Sequence, residues 1–307
     1  MRIGTLELVG GGGEPVDFRR TLSSHGVASL PPNRVDEERW TLERTVARDG
    51  GVWALRVGQG DATHAVVETS GPDPDARTAA GLVDVAAQLL RLDEDLSPFY
   101  ALAAKDPALA WVATGAGRML RGESVFEDVV KTICTTNCSW SATVRMTDAI
   151  ASNLGEAGAD GRRAFPAAAA MAEAGEPFYR EVARAGYRAG PLHRLAAAVA
   201  EGRLDLEALR DPELPDAEVE RRLLELPGVG PYAASHVMLT SLGRYGRLVL
   251  DSWTRPTYAK LTGRPATDRV IERRFRRYRR YAGLAFWLFL TEGWVSPEDE
   301  PAEPPGE

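Results

Sequence analysis

Residues 226–232 read Leu-Pro-Gly-Val-Gly-Pro-Tyr, and this short segment constrains the local fold more than any other part of the chain. Gly228 and Gly230 have no side chains, so the backbone can turn tightly with its N–H groups facing outward. A turn of this kind that opens onto a helix N-terminus forms a seat for an anion, and a DNA phosphate fits such a seat. The segment therefore predicts a glycine hairpin that binds phosphate.

An acidic residue follows this hairpin at a distance of 21 residues from Gly230. Asp251 comes directly after the apolar residues Leu248, Val249 and Leu250, so we expect it at the boundary between the core and a cleft. A plain helix N-cap is the structural alternative, because aspartate is favoured at that position. The two roles are compatible, and Asp251 is the candidate catalytic residue.

The distribution of charge matters more here than its total. The chain has 307 residues and a formal net charge of −7, which by itself disfavours a nucleic-acid partner. Six acidic residues near the C-terminus account for most of it, and without them the net charge is −1: Glu292, Glu298, Asp299, Glu300, Glu303 and Glu307. One short segment carries eight arginines: Arg264, Arg269, Arg273, Arg274, Arg276, Arg277, Arg279 and Arg280. A basic face on a near-neutral body is compatible with binding to DNA phosphates, and a solvated helix face is the alternative.

Composition narrows the class of protein further. No stretch reaches the roughly 18 consecutive apolar residues that a membrane span requires, and no signal peptide is expected. The two cysteines, Cys134 and Cys138, do not suffice for a disulfide framework or a four-cysteine iron–sulfur cluster. We predict a cytoplasmic monomer without membrane association. The excess of arginine over lysine, with abundant alanine and glycine, hints at a GC-rich bacterial genome and hence at a nucleoid-associated protein.

The hydrophobic pattern predicts an α+β fold. Alternating segments over 40–46, 52–57 and 63–69 predict three strands, with a further strand over Thr5–Val9, a short helix over Val16–Ser24 and a helix from Asp75 to about Leu92. From Leu96 onward the periodicity is helical almost throughout. We predict a small antiparallel-sheet N-terminal domain over 1–94, an all-helical domain over 95–294, and an acidic disordered tail over 295–307.

The hairpin followed by Asp251 resembles the signature of the helix-hairpin-helix DNA glycosylase superfamily. Segment 126–137 is similar to the helix and wedge loop of 3-methyladenine DNA glycosylase II and 8-oxoguanine DNA glycosylase, and segment 278–294 is similar to the last helix of the first enzyme. The chain looks closest to the 3-methyladenine enzyme, with some features of the 8-oxoguanine enzyme. This resemblance implies a helical helix-hairpin-helix domain, damaged double-stranded DNA as partner, and base excision repair without an organic cofactor.

The resemblance also implies a mechanism. Asp251 would stabilise the cationic sugar that forms when an N-glycosidic bond breaks. Relatives that also cut the strand carry a nucleophilic lysine where this chain has Tyr232, so we expect a monofunctional enzyme. Pro256 departs from the pattern, because it removes a backbone donor early in the helix that follows Asp251, and the helix is expected to begin late or to bend there.

The predicted base pocket combines aromatic residues from two segments. Tyr232 and His236 lie four residues apart on one helix face, and Phe286, Trp287 and Phe289 fall within one turn of the last helix. By resemblance, Phe289 takes the place of a tryptophan that faces the catalytic aspartate, and Phe286 that of a base-reading glutamine. Such rings can stack on a cationic alkylpurine. Simple core packing is the alternative for each of these residues.

Asn137 stands where relatives insert a residue into the duplex after base flipping, although a turn asparagine is the structural alternative. At the hairpin the superfamily binds a structural Na⁺ or K⁺ ion through three backbone carbonyls, here those of Leu224, Leu226 and Val229. The N–H groups of Gly228, Gly230 and Tyr232 would then meet a phosphate.

Three functions therefore remain open. Hydrolytic release of an alkylated purine is the main prediction. Excision of an oxidised base such as 8-oxoguanine is the second, and the third is a damaged-DNA-binding protein that has lost catalysis.

Overall fold

The computed structural model describes residues 1–295. The predicted acidic tail covers residues 295–307, and all of it except Val295 lies outside the described residues. The N-terminal part contains five strands and two helices: β1 (Arg2–Glu7), α1 (Phe18–Leu22), β2 (Asn33–Asp36), β3 (Thr41–Arg48), β4 (Gly51–Gln59), β5 (His64–Ser70) and α2 (Ala76–Leu89).

The strands form one antiparallel sheet in the order β1-β5-β4-β3-β2. Strands β3 and β4 are joined by a two-residue turn, since Arg48 pairs with Gly51. Both turn residues have positive φ, 47° at Asp49 and 79° at Gly50. This conformation matches the twist of a two-residue hairpin, which explains the Asp-Gly sequence.

One face of the sheet packs against α2. Alternate residues Leu55 and Val57 of β4 are buried, as are Leu82 and Val85 of α2. Asp75 caps α2 by accepting the Thr78 N–H at 2.7 Å. The predicted sheet, its helix and the capping role of Asp75 are therefore all present.

The rest of the described chain is helical: α3 (Ser97–Ala103), α4 (Val125–Thr135), α5 (Trp140–Leu154), α6 (Ala168–Glu173), α7 (Gly175–Pro177), α8 (Ala189–Ala200), α9 (Asp216–Leu224), α10 (Pro231–Thr240), α11 (Thr254–Thr262), α12 (Asp268–Phe275) and α13 (Ala282–Thr291). The predicted α+β class, with a sheet domain followed by a helical region, is confirmed. Within residues 1–295, none of the helices has the length and apolar character that crossing a bilayer requires.

The helical region has two hydrophobic cores. One is built from α4 to α10, and the other joins α3 to α11, α12 and α13. Helix α10 passes from the first to the second, because Val237 and Met238 belong to one core and Leu239 to the other. Tyr232, at the start of α10, is partly buried against both cores. The helix that follows the glycine hairpin therefore lies at the seam between two lobes.

Buried polar contacts connect the sheet to the helices. Arg44 of β3 bonds the carboxylate of Glu127 at 2.6 Å, and Lys131 bonds the same carboxylate at 2.6 Å. Arg91 donates to the carbonyl oxygens of Thr240 and Ser241, at the end of α10. The proposed division between residues 94 and 95 stays a prediction.

Candidate active site

The glycine hairpin joins α9 to α10 as the sequence predicts. Gly228 has a φ of 82°, in the left-handed region that favours glycine. A Cβ at Gly228 would lie 2.9 Å from the Cβ of Pro191, so both conformation and space require glycine there. Pro231 is the first residue of α10, where its missing N–H leaves no intrahelical bond unmade.

The turn presents backbone donors to solvent. Within residues 1–295, the N–H groups of Gly228 and Gly230 have no hydrogen-bond partner. The space beside Gly230 is open, because a Cβ placed there would meet no atom within 4 Å. Unpartnered N–H groups at the start of α10 add to the positive end of the helix dipole. The turn is therefore suited to a phosphate.

The carbonyls predicted to hold a cation belong to the same turn. The Leu226 carbonyl accepts the Val229 N–H at 3.1 Å, which closes the turn. Leu224 is the last residue of α9, where carbonyl groups have no intrahelical donor. The ion site at Leu224, Leu226 and Val229 stays a prediction.

Asp251 lies three residues before the first residue of α11, and its carboxylate is held by the backbone that leads into that helix. Oδ1 accepts the N–H groups of Trp253 at 2.8 Å and Thr254 at 2.7 Å. In return, the Asp251 N–H donates to Thr254 Oγ1 at 2.8 Å. Oδ2 has no hydrogen-bond partner among the residues that the structure describes. One oxygen thus fixes the carboxylate, and the other is available to a substrate.

Pro256 does not break the helix that follows. Helix α11 begins late, at Thr254, which is one of the two outcomes expected from the sequence, and Pro256 is its third residue. The first N–H groups of a helix have no intrahelical partner, and a proline there removes no bond. Thr257 still donates its N–H to the Trp253 carbonyl at 3.1 Å.

Three tryptophans cluster beside Asp251. The ring centroid of Trp253 lies 5.6 Å from that of Trp287 and 5.7 Å from that of Trp294, and the last two are 6.0 Å apart. Trp253 and Trp294 keep 39% and 42% of their surface exposed, whereas Trp287 is buried. Neither Trp253 nor Trp294 was among the predicted site residues, although each is an aromatic residue close to a motif residue along the chain.

Tyr232 and His236 continue this aromatic surface. The His236 ring lies 5.9 Å from Tyr232 and 6.5 Å from Trp287, between ring centroids. The surface thus runs from Tyr232 through His236 and Trp287 to Trp253, whose N–H holds Asp251. The structure therefore brings the predicted residues Tyr232, His236 and Asp251 together.

The electrostatics of the two α10 side chains follow from burial. Burial lowers the pKa of His236 to about 4, although the Asp251 carboxylate opposes that shift. Burial also raises the pKa of Tyr232; a hydrogen bond with Thr135 opposes this change, and the Asp251 carboxylate adds to it. Both side chains are uncharged at neutral pH and both lie within the field of Asp251.

Phe286 and Phe289 do not join this cluster, which differs from the prediction. Phe286 is fully buried and packs against Tyr258 and Phe275. Phe289 contacts the same two rings, and the Arg274 guanidinium lies 4.2 Å from its centroid. The reason is helical geometry, because two positions turn a side chain through about 200°. Trp287, two residues before Phe289, is the α13 ring that contacts His236 and Trp253.

Asn137 lies in the exposed loop between α4 and α5 with a φ of 45°. Its Nδ2 donates to the hydroxyl of Tyr187 at 3.3 Å. Tyr187 is 61% exposed, and the Arg188 guanidinium lies 4.4 Å from its ring centroid. The loop thus presents an asparagine and a tyrosine side by side. Tyr187 was not predicted from the sequence, because a single tyrosine between two helices carries no local signal.

None of the three lysines, Lys105, Lys131 and Lys260, takes the position of Tyr232. Lys131 is buried and bonded to Glu127 and to the Leu30 carbonyl. Lys105 and Lys260 are exposed. The aromatic cluster therefore contains no amine nucleophile.

The arginine-rich segment forms α12 and the turn after it. The side chains of Arg269, Arg273 and Arg276 are exposed and make no hydrogen bond or ion pair in the described part of the chain. They are spaced by four and three residues, which places them on one helix face. Other arginines of the segment have contacts, as Arg277 has with Asp106. Part of the predicted basic face is thus free to meet an anion.

Comparison with known proteins supports the fold. No protein-family model matches the chain. The N-glycosylase/DNA lyase OGG1 of Arabidopsis thaliana is 30% identical over 210 residues, which cover 61% of this chain and 56% of that protein. The chain thus spans little more than half the length of this curated relative.

Solved structures match almost the whole chain. A 3-methyladenine DNA glycosylase from Archaeoglobus fulgidus has a TM-score of 0.73 at 22% identity, over 96% of this chain and 99% of that one. The 8-oxoguanine glycosylase/lyase of Clostridium acetobutylicum, bound to double-stranded DNA with cytosine opposite 8-oxoguanine, has a TM-score of 0.69 at 21% identity, over 91% and 93%. The chain has the helix-hairpin-helix DNA glycosylase fold, and the resemblance is confirmed at the level of the fold.

Proposed function

We propose that this protein is a DNA glycosylase that removes a damaged base from duplex DNA, with Asp251 as its catalytic residue. One observation carries the proposal. The Asp251 carboxylate is fixed by two backbone N–H groups while its second oxygen stays unpartnered, beside an aromatic surface. Fixed negative charge beside a stacking surface suits a reaction in which a sugar becomes cationic.

The chemistry assigned to Asp251 is electrostatic and directional. As the bond between base and sugar breaks, positive charge develops on the sugar, and a preorganised carboxylate stabilises it without reorganising. The free Oδ2 either faces the sugar or orients the attacking water. The bonds from Trp253 and Thr254 hold the carboxylate in place through the reaction.

The enzyme is proposed to be monofunctional. A combined glycosylase and lyase needs an amine that forms a Schiff base with the sugar. Tyr232 occupies the expected position of that amine, and a phenol cannot form an imine. The product is then an intact strand with an abasic site.

The preferred base is proposed to be an alkylated purine. Trp253 and Trp294 offer half-exposed rings next to Asp251, and tryptophan faces attract cations more strongly than other aromatic rings do. A purine methylated at N3 or N7 carries positive charge and leaves easily. Phe286 and Phe289 take no part in this proposal, since they pack against Tyr258 and Phe275.

The remaining residues hold the duplex. Gly228, Gly230 and the N-terminus of α10 bind a backbone phosphate, with a Na⁺ or K⁺ ion on the carbonyls of Leu224, Leu226 and Val229 as structural support. Asn137, with Tyr187 beside it, fills the gap that the flipped base leaves. The protein acts as a monomer, needs no organic cofactor and works on DNA in the bacterial cytoplasm.

Excision of an oxidised base is the second candidate. Its support is the similarity to the 8-oxoguanine glycosylase/lyase of Clostridium acetobutylicum, together with the relative from Arabidopsis thaliana, whose name describes an N-glycosylase/DNA lyase. The absence of a lysine at position 232 disfavours its lyase step. A DNA-binding protein without catalysis is the third, and the intact capping geometry of Asp251 disfavours it.

The proposal is tested by base release from duplexes that carry 7-methylguanine, 3-methyladenine, hypoxanthine or 8-oxoguanine. Wild type is compared with Asp251→Asn, which removes the charge but keeps the helix cap, because asparagine caps as well as aspartate. Asp75→Asn is the matched control, since Asp75 caps α2 in the same manner.

We expect release of methylated purines by wild type and by the Asp75 variant, without strand cleavage, and loss of release in the Asp251 variant. Release of 8-oxoguanine alone would favour the second candidate. Binding to damaged duplexes without release of any base would favour the third.

A further inference from the structure

We propose that His236 determines which bases are accepted, by presenting the lone pair of its Nε2 as a hydrogen-bond acceptor to an N–H group of the flipped base. This inference rests on the proposed glycosylase function and deepens it. The chemical class that it selects is a purine with an N–H donor on the edge that faces His236.

The hydrogen bonds around Thr240 favour one tautomer of His236. The Thr240 hydroxyl donates its hydrogen to the His236 carbonyl at 2.9 Å. The same oxygen lies 3.4 Å from His236 Nδ1, and while its hydrogen is engaged it can only accept there. This arrangement favours the tautomer in which Nδ1 carries the proton and Nε2 carries a lone pair.

His236 is only 4% exposed, yet its Nε2 is not sealed inside the protein. Within residues 1–295, Nε2 has no hydrogen-bond partner, and it is absent from the atoms that are both unpartnered and shut off from solvent. Nε2 therefore reaches solvent. The same ring contacts Tyr232 and Trp287, which belong to the aromatic surface beside Asp251.

The ring stays neutral under working conditions. Burial lowers the pKa of His236 to about 4, and the charged group that acts on it is the Asp251 carboxylate. A second ring, His25, lies 5.9 Å away between centroids, and burial lowers its pKa to about 3. Neutral imidazole offers an acceptor, whereas imidazolium offers only donors.

A single acceptor in an aromatic pocket discriminates between bases, because a base without a matching donor leaves that acceptor unpaired. A base with a matching N–H forms the hydrogen bond, whereas a base without one leaves the acceptor desolvated and unpaired. Two donors fit: the exocyclic amino group of an adenine, as in 3-methyladenine, and the ring N7–H of 8-oxoguanine. Both share the same chemistry toward Nε2 and are distinguished by experiment.

The two buried histidines give an internal contrast. His25 Nε2 lies 2.7 Å from the Leu120 carbonyl and must donate to it, so His25 carries its proton on Nε2. His25 and His236 are therefore expected as opposite tautomers. The chain has only 4 histidines, which makes them accessible to ¹⁵N NMR of the histidine-labelled full-length protein.

The first test measures these tautomers directly. We expect the His236 signals, identified by their loss in His236→Gln, to show a protonated Nδ1 and an unprotonated Nε2 at neutral pH, with the reverse for His25. A protonated Nε2 in His236 would overturn the proposal whether or not the protein releases bases, so this test is independent of the proposed function.

The second test compares kcat/KM for paired bases in duplex DNA: 3-methyladenine with 1,N6-ethenoadenine, which lacks the amino donor, and 8-oxoguanine with guanine, whose N7 has no hydrogen. His236→Leu is expected to lower kcat/KM about 10-fold for the donor-bearing base that wild type releases, because one hydrogen bond is lost. His236→Gln restores an acceptor and should recover most of that loss.

His64→Leu, on the exposed N-terminal sheet, is the control. It should leave the ratio of kcat/KM values within each pair of bases unchanged. The pair that responds identifies the donor as amino group or ring N–H. An equal loss for donor-bearing and donor-free bases in His236→Leu would show a merely structural role and overturn the inference. No release of any base by wild type would instead contradict the proposed function, while the NMR result would still stand.

Discussion

The indole N–H of Trp287 donates to the carbonyl oxygen of Ser24 at 2.8 Å, which ties α13 to the segment that follows α1. The same indole ring contacts Trp253 and His236. One side chain therefore joins the N-terminal part of the protein to the aromatic surface beside Asp251. The geometry of the candidate site depends on how the sheet domain docks, although the sheet contributes no residue to the proposed reaction.

Replacing Trp287 by phenylalanine should reduce stability. Trp287→Phe keeps an aromatic ring but leaves the Ser24 carbonyl without its buried donor, which should cost about 1–3 kcal/mol in the free energy of unfolding. Chemical denaturation measures this change. Trp294→Phe is the control, because Trp294 is half exposed and its loss should cost less than about 1 kcal/mol. Equal effects of the two changes would contradict the role assigned to the hydrogen bond.

The hairpin glycine should be more sensitive than an unconstrained glycine of similar conformation. In Gly228→Ala, alanine would have to adopt a φ of 82°, and its Cβ would lie 2.9 Å from the Pro191 Cβ. We expect the free energy of unfolding to fall by about 2 kcal/mol or more and DNA binding to weaken. Gly263→Ala has a φ of 73° with no atom within 4 Å of the added Cβ, so only the strain of about 1 kcal/mol applies. Thermal unfolding and DNA titration of both variants separate the two contributions.

Local signals predicted a large part of this fold. Segment 126–137 was expected to contain a helix and the loop after it, and α4 covers Val125–Thr135 because Ser124 caps it and its apolar positions follow the helical period. The hairpin, Asp75 and Asp251 were likewise found from short-range chemistry. Strand β2 was not predicted, since Asn33–Asp36 has no alternating pattern and becomes a strand only by pairing with β3.

The sequence could not predict which face of α13 meets the site. Every residue of α13 except Phe289 is buried, so the helix is apolar all round and its pattern gives no direction. The choice between Trp287 and Phe289 depends on how α13 packs between Phe275 on one side and Ser24 on the other. Such rotations are set by tertiary contacts.

The two roles of the Asp251 carboxylate can be separated by measurement. Asp251→Ala removes both the charge and the helix cap, and we expect it to lower the free energy of unfolding by about 1 kcal/mol. Asp251→Asn keeps a capping oxygen and should retain near wild-type stability. Denaturant midpoints of the two variants check this difference. A stable alanine variant would show that Trp253 and Thr254 do not need the cap.

Acid should weaken the contact between sheet and helices. Burial alone would raise the pKa of Glu127, but the charges of Arg44 and Lys131 outweigh burial and hold that pKa at about 2. A carboxyl with a lowered folded-state pKa stabilises the protein above its ordinary value of 4.5, and this contribution is lost as the pH falls from 4.5 toward 2.

Glu127→Gln should therefore lower stability at neutral pH, by about 3–5 kcal/mol for a broken buried ion pair, and should flatten the decline between pH 4.5 and pH 2. Glu218→Gln is the matched control. The pKa of Glu218 is also held at about 2, by its hydrogen bonds from Arg221 and Arg222, but its side chain is 30% exposed, so solvent screens its ion pairs and they contribute little. A similar response from both variants would contradict the importance of burial.

The free arginines of α12 should contribute to DNA affinity without contributing to base recognition. Arg269, Arg273 and Arg276 share one exposed helix face, and each DNA phosphate that they neutralise releases a counterion. Replacing all three by glutamine should reduce the slope of log K against log salt by about 0.9 for each phosphate that is no longer neutralised, equally for damaged and undamaged duplexes. Replacing Arg2, Arg39 and Arg56, which are exposed on the sheet domain, removes the same charge and should leave the slope nearly unchanged. Equal slopes in the two triple variants would show that net charge, and not the position of the α12 face, governs the attraction to DNA.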